Sequence, residues 1–383
     1  MNNTQLVMIP GPTNIPNRIA EAASKPIINH RGKEFHSLYD RILSNLRYAF
    51  ETSGNTFVLS ASGTGGVEAV IANFVGQGEK IIVPVNGDFS HRIEENIGYF
   101  GGVPTVLNTQ WGRAPTAALV EEAVAKEKDA RILFVIYNET STGALTKELP
   151  EIAKVARKYD RLLAVDAISN FVGDPLPMDR WGVDIVVAGS QKCLACPPGL
   201  SLVAMNSRAW EFIRNKNARS NYWDFKKYKV FNDRKETPFT PAVNLFFALD
   251  EGLQMLREEG LQKRIDRHAK MSNAFYAAVD ALKLEPFADP SCRAHTVIAI
   301  KNPPNIDVAN MRKIMEERYG VIIAGGMGAI RDTTFRIGSM GAVSSTEVMT
   351  TVNALEKSLE ATGYVFEQGA GIDAAEKALS SVG

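Results

Sequence analysis

Between residues 55 and 205 short β-branched runs alternate with amphipathic stretches, and that rhythm restricts the fold more than any other property of the chain. An apolar run, a helical period and a second apolar run make a βα unit, whose successive strands run parallel. The pattern predicts strands at 56–60, 80–83, 105–107, 131–137, 162–165, 184–188 and 202–205, with helices between them at 66–75, 91–100, 116–126 and 148–159. The expected fold class is α/β, a mainly parallel seven-stranded sheet between helices.

After Pro241 the period turns helical over 245–258 and 261–282, and a smaller α+β unit follows. Its strands are expected at 296–300, 321–323 and 334–337, and its helices at 308–319 and 345–362. The chain thus divides into an N-terminal arm (1–15), a large ligand-binding domain (16–250) and a small C-terminal domain (251–383). Residues 215–240 break the rhythm: Asn221-Tyr222-Trp223-Asp224-Phe225-Lys226-Lys227-Tyr228 reads as an irregular excursion over the surface or into a partner subunit. The tail after Gly369 is a tract of small residues.

Lys+Arg and Asp+Glu balance at 43 each, so no global field draws the chain to nucleic acid or an anionic membrane. No run reaches the roughly 18 apolar residues of a membrane span, and Met1-Asn2-Asn3-Thr4-Gln5 offers no basic leader. A cytoplasmic protein acting on small molecules is expected. Three cysteines, an odd number, argue against a secreted disulfide framework. Cys193-Leu194-Ala195-Cys196 has a C-x-x-C spacing, but zinc needs a second pair that the sequence lacks, so these are read as small thiols packed behind Lys192.

The strand at 184–188 runs into Gly189-Ser190-Gln191-Lys192, and the one at 162–165 stops at Asp166. In a parallel sheet both side chains emerge at the carboxyl rim, where α/β folds bind ligands. A lysine amine there can form a Schiff base with an aldehyde, while a carboxylate keeps a pyridine nitrogen protonated. That pair is what pyridoxal phosphate asks of a protein.

Other residues fit the same rim. Ala61-Ser62-Gly63-Thr64-Gly65-Gly66 lies between a strand and a helix, where free N–H groups and the helix dipole cradle a phosphate or where glycines serve a plain turn. A P-loop would need Gly-Lys-Ser/Thr, and the dinucleotide fingerprint fails because position 68 is glutamate. Arg336, between apolar neighbours in Thr334-Phe335-Arg336-Ile337-Gly338, is either paired in the interior or aimed into a cleft to grip a carboxylate. Pro10-Gly11-Pro12 is a stiff turn with a glycine that a ligand can approach.

In order along nearly the whole chain, Pro10-Gly11-Pro12-Thr13-Asn14, Asn29-His30-Arg31, Ser62-Gly63-Thr64, Asn138-Glu139-Thr140-Ser141-Thr142-Gly143, Val165-Asp166, Gly189-Ser190-Gln191-Lys192, Pro198-Gly199 and Phe335-Arg336-Ile337-Gly338 resemble class V aminotransferases of fold type I, particularly the alanine/serine–glyoxylate branch. The resemblance implies that Lys192 holds pyridoxal 5′-phosphate, Asp166 pairs with its ring nitrogen, Phe89 stacks on the ring where many relatives have tryptophan, Ile168 packs on the opposite face and Thr140 touches the edge. Ser62, Gly63, Thr64 and Gln191 would hold the phosphate, completed by Thr240 from the other subunit of a homodimer. Arg336, helped by the backbone at Gly11, would bind the substrate carboxylate. The implied activity is ping-pong transfer of an amino group from serine or alanine to glyoxylate or pyruvate. Aspartate–glyoxylate transamination, with a second cation from His30-Arg31, and pyridoxamine–pyruvate or aminoethylphosphonate transamination share the pattern. A cysteine desulfurase or lyase would need a mobile cysteine, and a regulatory module would need an appended DNA-binding domain; neither is visible.

Overall fold

The computed structural model describes residues 5–380. The chain opens with β1 (Leu6–Val7), α1 (Asn17–Ala23) and α2 (Lys33–Ala49). Helix α2 buries Phe35, Leu38, Tyr39, Ile42, Leu43 and Leu46, the three-and-four spacing that seats an amphipathic helix on a core. The alternating part follows as β2 (Asn55–Ser60), α3 (Gly63–Phe74), β3 (Lys80–Val85), α4 (Asp88–Tyr99), β4 (Val103–Asn108), α5 (Ala117–Lys126), β5 (Ile132–Ile136), β6 (Asn138–Glu139), β7 (Ala144–Leu145), α6 (Leu149–Lys158), β8 (Leu162–Asp166), α7 (Met178–Trp181), β9 (Ile185–Gly189) and β10 (Leu200–Met205).

Seven of these strands form one sheet in the order β2-β10-β9-β8-β5-β3-β4. Strand β10 runs antiparallel to β2 and β9, and the remaining neighbours are parallel. Strands β5, β8 and β9 are buried throughout, since helices cover both faces. Leu133, Val135, Leu163, Val165, Val186 and Ala188 enter one core with α2 and α6; Phe134, Ala164, Ile185 and Val187 enter the other with α3 and α4. Between β3 and β5 the order reverses, with β4 on one side and β8, β9 and β10 on the other. That reversal opens a crevice at the carboxyl ends of the strands.

The chain continues through α8 (Ser207–Ile213), α9 (Phe225–Asn232), α10 (Val243–Glu259), α11 (Leu261–Ala281), β11 (Val297–Lys301), α12 (Val308–Tyr319), β12 (Val321–Ile322), β13 (Ala324–Gly325), β14 (Thr334–Gly338), α13 (Ser345–Ala361) and α14 (Ala370–Ser380). A third core gathers Phe275, Ile298, Met311, Phe335, Ile337, Val352 and Leu355 around the antiparallel sheet β11-β14-β13. Residue 250 lies inside α10, and the packing passes from the first core to the third beyond Gly260. Strand β1 pairs in parallel with β12, and Met8 joins the third core, so the arm is anchored there.

Two expectations need correction. Part of the stretch at 215–240 is regular: Asp224 caps α9 by accepting from the Lys226 N–H, and Phe225 stacks on Phe57 at 5.1 Å. Its buried positions, Phe225, Tyr228 and Asn232, are helical in spacing but masked by lysines. The tract after Gly369 is helix α14, which packs on α11 and α13 because Gly371 and Ala375 are small enough for close approach. Among the described residues no helix is long and apolar enough to cross a membrane.

Candidate active site

Sheet geometry brings Lys192 and Asp166 into one pocket, lined also by Ser62, Gly63, Thr64, Phe89, Thr140, Ile168 and Gln191. Asp166 is the last residue of β8. Lys192 stands three residues beyond β9, in a loop tied by Ser190 Oγ donating to the Pro197 carbonyl at 2.7 Å and Cys196 N–H to the Ser190 carbonyl at 3.0 Å. The lysine amine donates to the Pro10 carbonyl. Gly11, at φ +92°, lies so close that a Cβ there would sit 2.6 Å from Lys192 Cδ. The arm therefore packs directly on the Lys192 side chain, and Gly11 is where only glycine fits.

Both groups are displaced from their ordinary protonation. Burial lowers the Lys192 amine to about 8; the Asp166 charge opposes that shift and Arg336 adds to it. Burial raises the Asp166 carboxyl to about 7, against a hydrogen bond from the Ile168 N–H at 2.9 Å, while the negative charge of Glu139 pushes it further up. An amine near 8 is a usable nucleophile and proton carrier at physiological pH. Among the described residues the only hydrogen-bond donor to this carboxylate is the Ile168 N–H, which leaves room for a cationic partner.

The glycine turn is the first turn of α3 rather than a linker before it. Ser62 occupies the N-cap without a side-chain cap bond, leaving the N–H groups of the following residues for an anion. Ile168 crowds Gly63, where a Cβ would lie 2.7 Å from its Cδ1. Gln191 reaches the same wall with its Oε1 buried and unpartnered.

Phe89 and Thr140 are held by a neighbour that sequence reasoning left without a role. Glu139 is fully buried, and its carboxylate accepts from the N–H groups of Phe89 at 3.3 Å and Ser90 at 2.9 Å and from Ser141 Oγ at 2.6 Å. A buried acid at the end of the apolar run 131–137 is the signal that marks it. Arg336, 9% exposed, donates from Nε to the Gly325 carbonyl at 2.9 Å and from Nη1 to the Thr140 carbonyl at 3.2 Å. No carboxylate of the described residues lies within 4 Å of it. Burial lowers its pKa, and an unpaired guanidinium so placed calls for an anion. Arg92 also lines the pocket, 4.7 Å over the Phe89 ring and paired with Asp88 at 2.8 Å.

Five other residues that the sequence singled out stand outside the pocket. Thr240 is exposed and does not line the pocket of its own chain; its segment emerges beside β2, where Ala242 N–H donates to Ser60 Oγ at 3.2 Å. Arg31 is taken up by Glu236 at 2.8 Å and the Thr237 carbonyl at 2.7 Å, and neither it nor His30 lines the pocket. Cys193 and Cys196 are buried free thiols, pushed up to about 12 by desolvation, which disfavours the nucleophilic thiolate. Gly173 and Gly252 make room for them: a Cβ would meet Cys193 Sγ at 2.7 Å or Cys196 Sγ at 2.4 Å.

An under-bonded buried carboxylate, a helix N-terminus without a side-chain cap and a lysine of lowered pKa in one pocket fit pyridoxal phosphate. The class-V aminotransferase family matches residues 16–343. The chain is 34% identical over 377 residues to an uncharacterized aminotransferase of Methanocaldococcus jannaschii, covering 98% of this chain and 97% of that one. It is 32% identical to the serine–glyoxylate aminotransferase of Methylorubrum extorquens, over 97% of this chain and 95% of the relative. It superposes on the ureidoglycine–glyoxylate aminotransferase of Bacillus subtilis with a TM-score of 0.95 at 27% identity, covering 100% of this chain and 99% of that one. Site chemistry, sequence and fold agree that the chain belongs to the class-V aminotransferases, pyridoxal-phosphate-dependent enzymes of fold type I.

Proposed function

We propose that this aminotransferase moves the amino group of a small monocarboxylic amino acid, serine or alanine, to glyoxylate or pyruvate. Pyridoxal phosphate, when bound, supplies the electron sink and the temporary carrier of the amino group. Lys192 would hold the cofactor, and its free amine would carry the proton from the substrate Cα. Asp166 would keep a proton on the ring nitrogen. Phe89 and Ile168 would pack on the ring, Thr140 would meet its edge, and Ser62, Gly63, Thr64 and Gln191 would hold the phosphate. Arg336 grips the α-carboxylate beside the Gly11 backbone. The reading includes a cytoplasmic homodimer in which Thr240 completes the phosphate site of the other subunit, and a division into arm, large cofactor-binding domain and small domain. Glyoxylate as acceptor is supported by the relatives just named.

One observation carries the donor class: Arg336 is a buried guanidinium without a carboxylate partner among the described residues, whereas Arg31, the second cation an aspartate donor would want, is consumed by Glu236. Mixing the holoenzyme with serine, alanine, aspartate or pyridoxamine, then with glyoxylate or pyruvate, tests this. Serine or alanine is expected to discharge the visible cofactor absorbance and glyoxylate to restore it. Aspartate turned over with kcat/KM equal to or above that of serine would overturn the assignment.

A further inference from the structure

We propose that Glu139 is a positioning residue that sets the Phe89 ring against the cofactor plane and orients the Thr140–Arg336 contact that receives the substrate carboxylate. The inference rests on the reading of Phe89 as the stacking ring, and its basis is the way α4 begins. The N-cap of that helix is Gly87, which has no side chain to cap with. The first three N–H groups are satisfied from the hairpin β6–β7 instead: Asp88 N–H donates to Ser141 Oγ at 3.0 Å, Phe89 N–H to Glu139 Oε1 at 3.3 Å and Ser90 N–H to Glu139 Oε2 at 2.9 Å. Ser90 Oγ adds a bond to Oε2 at 3.0 Å, while Ser141 donates its N–H at 3.1 Å and its Oγ at 2.6 Å to Oε1.

A helix start whose N-cap has no side chain is thus clamped by a carboxylate reaching in from another element, with the helix dipole favouring the negative charge. Fit is tight as well as polar. A Cβ at Gly87 would lie 2.4 Å from Glu139 Cδ and 2.5 Å from Ser141 Oγ, so glycine at that position lets the acid dock. Phe89 is the second residue of the clamped turn and has no freedom to slide while both N–H groups are held.

The next residue, Thr140, gives its carbonyl to Arg336 at 3.2 Å. One buried acid therefore connects the ring floor to the carboxylate arginine through two adjacent backbone units. Five donors converge on its two oxygens, so an amide cannot substitute. Whichever way the side chain introduced by Glu139→Gln turned, its NH2 would face donors and leave them unmatched. The Glu139 charge also acts on both functional ions, holding up the pKa of Arg336 and adding to the rise at Asp166.

The test is a double-mutant cycle on Glu139→Gln and Phe89→Ala, read as the dissociation constant of pyridoxal phosphate from its visible absorbance, with KM for serine measured alongside. Glu139→Gln is expected to weaken the cofactor by about 10–100-fold in the wild-type background, the size of an unmatched buried donor, and to raise KM for serine. In the Phe89→Ala background the same change should weaken it by less than about 3-fold, because the ring that Glu139 positions is gone. Equal effects in both backgrounds, or Glu139→Gln with wild-type cofactor affinity, would overturn the proposal. If Glu139→Gln does not fold, Ser90→Ala removes one of the clamping donors and enters the same cycle with the same criteria, at a smaller fold-change. A folded Phe89→Ala protein that binds pyridoxal phosphate as wild type would instead overturn the underlying reading of the pocket.

Discussion

The reactive centre pairs two residues that are badly accommodated when alone. Asp166 titrates at about 7 rather than 3.8, so between those values the folded state holds more protons than the unfolded one. Stability contributed by this site accordingly falls as pH rises from about 4 to 7, and the penalty is complete above 7. At about 1.4 kcal/mol per pKa unit the upper bound is about 4 kcal/mol. Asp166→Asn is therefore expected to stabilise the cofactor-free protein by about 1–3 kcal/mol at pH 8 and to leave it nearly unchanged at pH 4, measured by urea denaturation. The same substitution should cut turnover by at least about 100-fold, since the ring nitrogen loses its counter-charge.

Lys192 carries the opposite sign. An amine lowered to about 8 is neutral above that pH, so the rate of pyridoxal phosphate capture by the cofactor-free enzyme should climb between pH 7 and 8.5 and then level off. A profile still rising towards 10 would show that the amine is not desolvated. At Arg336 the fork geometry is the prediction: Arg336→Lys keeps the charge but loses the paired donors, and should raise KM for serine by about 10–100-fold while cofactor absorbance persists.

At the level of elements, the approach of α3 to the sheet sets where its N-terminus meets the pocket. Gly66 is the contact point: a Cβ there would lie 1.9 Å from Ser201 Oγ and 2.8 Å from Val187 Cγ1. Gly66→Ala is expected to cost about 1–3 kcal/mol and to weaken cofactor binding, because the helix must rise from β9 and β10. Thermal unfolding and an absorbance titration check the two effects. Element reading from sequence was strongest where the period was cleanest: the continuous apolar runs of β5, β8 and β9 announced buried parallel strands, and their ends announced Asp166 and Lys192. It was weakest where composition hid the period, as in α9 with its lysines and α14 with its small residues. Glu139 and Arg92 escaped it for another reason. Glu139 has no role until α4 is laid against the β6–β7 hairpin, a contact about fifty positions apart in sequence, and Arg92 shows itself only once its helix is seen to line the pocket.

At the level of the whole molecule, the arm ties its parts together. Strand β1 hydrogen-bonds to β12, Met8 sits in the third core, and two residues later Pro10 accepts from the reactive lysine. Removing residues 1–8 is expected to lower kcat more than it lowers cofactor affinity, because Pro10 and Gly11 lose their anchor while the phosphate cradle on α3 is untouched. Paired turnover and absorbance measurements on the truncated protein test this. A protein that loses cofactor and activity in parallel would show that the arm instead supports the large sheet.

By itself the sequence determined the α/β class, the order of the sheet-forming segments and the two groups at its carboxyl rim, because periodicity and strand ends are local properties that survive without a partner. Tertiary structure alone decided that Arg31 is spent on Glu236 while Arg336 keeps no carboxylate partner among the described residues, that Gly11 rests on Lys192, and that Glu139 caps a helix it does not belong to. Each of these depends on which distant groups meet, and charge pairing, steric room and desolvation are set by that meeting rather than by residue type.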